Sequence, residues 1–70
     1  MLLSQVLIDK GQTANPKNNM SMGNTAIEMH SICQFAQSEM TPRQIQQSVS
    51  LACEVLNKSG FPYYKPENIL

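Results

Sequence analysis

Thr41-Pro42-Arg43-Gln44 opens a helix, and it does so with more local signal than any other stretch of the chain. Thr41 is a good N-cap, Pro42 stands at the first helical position where its missing N–H costs nothing, and Gln44 at the third completes a capping-box pattern. Downstream, Lys58 meets the negative end of the helix dipole, and Gly60 can adopt the left-handed conformation that stops the helix, letting Phe61 fold back on Leu56. The spacing therefore predicts a helix over about 42–59. Its central apolar stripe is Ile45, Val49, Ala52 and Leu56, with Cys53 on one flank and Leu51 and Val55 on the other. A stripe that wide meets more than one neighbour.

Immediately upstream, Thr25-Ala26-Ile27-Glu28 carries a second capping-box pattern, which predicts a helix over about 26–39. Met29, Ile32, Cys33, Ala36 and Met40 recur at helical spacing along one face, and Phe35 widens that face on one side. Ile27 points away from it and needs cover from the N-terminal lead. The two helices are joined by a tight corner through Glu39-Met40-Thr41, giving an all-α hairpin or corner.

Farther out, signals weaken. Leu3, Val6 and Leu7 share a face if the lead is a short helix ending after Lys10 at Gly11, although a docked strand fits the same residues. Gly11 to about Gly23 is rich in turn formers and reads as a mobile linker, so residues 1–23 form a lead plus linker and 24–70 the helical domain. The tail from Phe61 to Leu70 contains Pro62, Tyr63, Tyr64 and Pro66 and is expected to be extended as far as Pro66.

Composition limits what such a chain can do. Its 70 residues hold one domain at most, and so short a chain buries too little surface to be comfortable alone. Five basic and five acidic side chains cancel, so no bulk field draws it to nucleic acid or an anionic membrane. The apolar start has neither the positive lead nor the cleavage site of a secretory signal, and no run approaches the roughly 20 residues of a membrane span. Cys33 and Cys53 fall among apolar residues, as small buried hydrophobes in a reducing, cytoplasmic compartment do.

Chemistry-bearing arrangements are sparse. His30, Cys33 and Cys53 suggest three metal ligands only on paper, because no paired cysteine motif or second histidine supports them. No phosphate loop or nucleophile motif is present, so neither a catalytic residue nor a cofactor is expected. In an antiparallel pair Cys33 lies across from about Ser48, which leaves Cys53 ~7.5 Å away along the axis and out of disulfide range.

Two helices joined at a corner also have the outline of a DNA-binding helix-turn-helix, with Arg43, Gln44, Gln47 and Ser48 placed to reach base edges. Charge argues against it. From Asn24 to Gly60 only Arg43 and Lys58 offer phosphate contacts, against Glu28, Glu39 and Glu54. The sequence is thus read as a small non-enzymatic interaction protein, regulatory or adaptor in type and suited to a bacterial or phage-like setting. Phe35, Leu51 and Val55 are expected to pair two copies into a four-helix arrangement, while Tyr63 and Tyr64, with Leu3 and Leu7, form a strip for another protein.

Overall fold

A computed structural model describes residues 2–13, 19–62 and 64–70, with the side chains of 19–24 left outside the description. The described residues form α1 (Leu3–Thr13), α2 (Asn19–Ala36), α3 (Pro42–Lys58) and a short α4 (Pro66–Ile69). All regular structure among them is helical.

α3 forms as its sequence requires. The Gln44 amide donates to Thr41 Oγ1 at 3.2 Å, and the Thr41 amide donates to Gln44 Oε1 at 2.9 Å. Thr41 itself is extended, with ψ at 157°, as a residue before proline should be. At the far end Gly60 takes φ 99°, the Phe61 amide donates to the Leu56 carbonyl at 2.9 Å, and the Gly60 amide donates to that of Asn57 at 3.4 Å. This double closure is a Schellman motif.

α2 departs from expectation at both ends. It begins at Asn19 rather than after Thr25, so Thr25 lies inside the helix, buried, and makes no N-terminal cap. A cap contributes only ~1 kcal/mol, whereas continuing an existing helix gains a backbone hydrogen bond for each residue added. Glu28, freed from the box, pairs with Lys10 of α1 at 2.7 Å. At the other end regular helix stops at Ala36, where the Glu39 and Met40 amides both donate to the Ala36 carbonyl, at 3.0 and 2.9 Å. The linker expected over 11–23 is correspondingly reduced: 11–13 belong to α1 and 19–23 to α2, and 14–18 lie outside the described residues.

The principal correction concerns how the helices pair. α1 packs along α3, α2 packs on α1, and α4 bridges α2 and α3, whereas α2 and α3 do not form a close hairpin of their own. Gly11 explains the closeness of α1 and α3. It does not end α1 but sits buried within it, and a Cβ at that position would lie 2.5 Å from Leu56 Cδ1. Leu7 and Leu3 insert beside Ile45, Val49, Ala52, Cys53 and Leu56, with Met29 and Cys33 supplied by α2.

The tail closes the remaining side. Tyr64 is buried and its hydroxyl donates to the Gly11 carbonyl at 3.3 Å, while Ile69 is fully buried and its carbonyl accepts from His30 Nδ1 at 2.7 Å. The central stripe of α3 is therefore covered within one chain, while Leu51 and Val55 at its edge stay partly open.

Candidate interaction surface

With the core closed, the informative residues are the apolar ones left outside it. Phe35 is 83% exposed, Leu2 73%, Ile27 65% and Leu51 50%. On α2, Met29 and Cys33 point inward, and helical rotation carries Ile27 and Phe35 to the opposite side. Phe35 thus widens no buried stripe, and α1 does not cover Ile27.

Phe35 stands between two open grooves. One, of about 380 Å³, has walls from α1 (Leu3 and Val6), from α2 (Ile32 and Ala36) and from the corner (Glu39 and Met40). The other, of about 280 Å³, is bounded by Ser31 and Gln34. The small side chains of Ala36 and Ser38 leave the first groove open, while Ile32, Ala36 and Met40 pack their inner sides against the core. Glu39 and Arg43 flank the corner, both exposed and neither in an ion pair among the described residues.

The other expected site residues fall in different places. Leu3 and Leu7, expected on a partner-binding strip, are core residues, and so is Tyr64; Tyr63 lies outside the described residues. Burial of Tyr64 follows from its reach to the Gly11 carbonyl, a contact 53 positions away in sequence. Of the self-association set, Leu51 is half-exposed and Val55 partly buried at the outer edge of α3, on a different helix from Phe35.

Among the described residues, no group of three histidine, cysteine or acidic side chains gathers where it could hold a metal ion. Cys33 and Cys53 are free and buried, and burial pushes both thiols up in pKa; for Cys53, a charge on Cys33 adds to the rise. Neutral, enclosed thiols of this kind are poor nucleophiles and poor ligands. His30 holds the Ile69 carbonyl. Glu54 pairs with Lys58 on the open face of α3. No described helix is long and apolar enough to cross a membrane. No protein-family model matches the chain, and no curated protein or solved structure matches it either.

Of these residues, Phe35 was visible in the sequence as an aromatic at the stripe's edge. The groove beside it was not, since its walls come from α1, α2 and the corner together.

Proposed function

We propose that this chain is a small non-enzymatic protein-interaction module, regulatory or adaptor in role and cytoplasmic in setting, able to pair with a second copy of itself. The observation that supports the reading most is the 83% exposure of Phe35 beside an apolar groove, in a chain that has otherwise closed its core. A large aromatic left in water forfeits most of the free energy its burial would release. Exposed apolar patches with polar borders are a common mark of protein contact surfaces. For self-association, Phe35 on the outer side of α2 is the most exposed of the three expected residues.

A second reading, as a DNA-binding regulator, draws on Arg43, Gln44 and Gln47, all exposed on the first turns of α3. It still lacks the cationic surface that phosphate contact requires. Duplex binding that weakened steeply with added salt would support it over the first.

The test of the main reading is a photo-crosslinking amino acid placed at position 35 in the producing cell, with position 57 as an exposed polar control. A discrete crosslinked protein band from position 35 and none from 57 is the expected result. Equal, diffuse labelling at both positions would remove the support for a contact surface there.

A further inference from the structure

The geometry points to a specific self-pairing surface: Phe35 of one copy seats in the groove between α1, α2 and the corner of a second copy, and the second copy's Phe35 returns the contact. This deepens the interaction reading above and rests on it. A projecting side chain and a receiving groove lie next to each other on one face, which is the arrangement a two-fold axis makes self-complementary. The groove, at about 380 Å³, is larger than the ~150 Å³ that accommodates a benzene ring in a protein interior, and its apolar walls include Val6, Ile32 and Met40. Phe35 forms one wall, so the two phenyl rings come together side by side as they insert.

Charge agrees with shape. Glu39 borders the groove and Arg43 follows it on the first turn of α3, both exposed and neither in an ion pair among the described residues. A two-fold axis near the corner sets Glu39 of each copy toward Arg43 of the other, supplying opposite charges at both edges of the contact. A second copy therefore fits the surface better than a strongly basic or acidic partner, for which the corner carries no matching excess of charge.

Area sets how much contact is needed. A stable interface takes ~800 Å² from each partner, about one sixth of the 4726 Å² surface of this chain. The Phe35 contact supplies only part of that, since one aromatic side chain brings roughly 150–250 Å². The groove walls around it must supply the remainder, and the pairing is concentration-dependent.

Sedimentation equilibrium on the full chain, with helicity as the check on folding, tests the proposal. Phe35→Ala should weaken self-association about 30-fold or more, as loss of a central aromatic anchor does, with helicity unchanged because the side chain is exposed. Glu39→Arg and Arg43→Glu should each reduce self-pairing, and an equimolar mixture of the two should associate again, since each supplies the charges the other lacks. Self-association that survives Phe35→Ala and disappears with Leu51→Glu would overturn the proposal by moving the contact to α3. A chain that stays monomeric at millimolar concentration would overturn it too; the crosslink at position 35 then separates the two readings. A band at the mass of a different protein leaves the interaction reading standing without self-pairing, and no discrete band removes both.

Discussion

Gly11 and Leu56 carry the contact that distinguishes this fold from a simple helical hairpin. Alanine at position 11 gains up to ~1 kcal/mol of helix propensity, yet its Cβ would fall 2.5 and 2.8 Å from the two Leu56 methyls, so the fully buried Leu56 must shift against the core. Overpacking of this kind costs ~1–3 kcal/mol. Gly11→Ala should therefore lower stability by about 1 kcal/mol in urea denaturation, and its effect should shrink or reverse beside Leu56→Ala, because the two sites share one space. A fully additive pair would mean the helices do not meet there. Cys33 and Cys53 give a second residue-level prediction. Burial raises both thiols, so the folded state holds protons that the unfolded state releases above the ordinary thiol pKa of about 8.5. Their contribution is fully present below that value and is lost as pH rises through the higher folded pKa. Stability should decline more steeply above about pH 9 in the native chain than in Cys33→Ala/Cys53→Ala, measured as the change in unfolding midpoint with pH. Identical slopes would show that the thiols are not shielded.

Among the elements, α1 and the tail have become structural parts. Leu7 has no exposed surface, and Leu7→Ala should cost ~2–5 kcal/mol and melt all the helices together; a loss confined to α1 would mean it is only appended. Thr41→Ala should cost ~1 kcal/mol through the cap alone, with the corner otherwise intact. The sequence made α3 legible nearly to the residue because Thr41, Pro42, Gln44, Lys58 and Gly60 act locally, within a few bonds of the backbone groups they satisfy. α2 was legible in its inward stripe but not in its start, since Thr25-Ala26-Ile27-Glu28 presents a cap that tertiary packing overrides: Thr25 goes into the core and Glu28 to Lys10. For Gly11 the local reading and the tertiary one oppose each other. Nothing within four residues reveals that Leu56 will sit beside it. Tyr64 is similar, because an aromatic between prolines looks available for a partner until its reach to Gly11 is known.

For the whole molecule, the sequence indicated that two helices could not cover the broad face of α3, and a second copy was one way to cover it. α1, Tyr64 and Ile69 cover its central stripe, within dimensions of 34 × 21 × 21 Å, and leave Leu51 half-exposed. The proposed pairing between copies then has no folding role to fill, and Phe35 stands outside the core. Folding and association should consequently be separable, in contrast with an obligate dimer whose stability depends on its concentration. The most direct test is a dilution series in which molar mass and helicity are followed on the same samples. The account predicts that mass falls toward a single chain on dilution while helicity holds constant. Helicity that fell in step with mass would contradict it, showing that the core needs a second copy and that α1 and the tail do not close it.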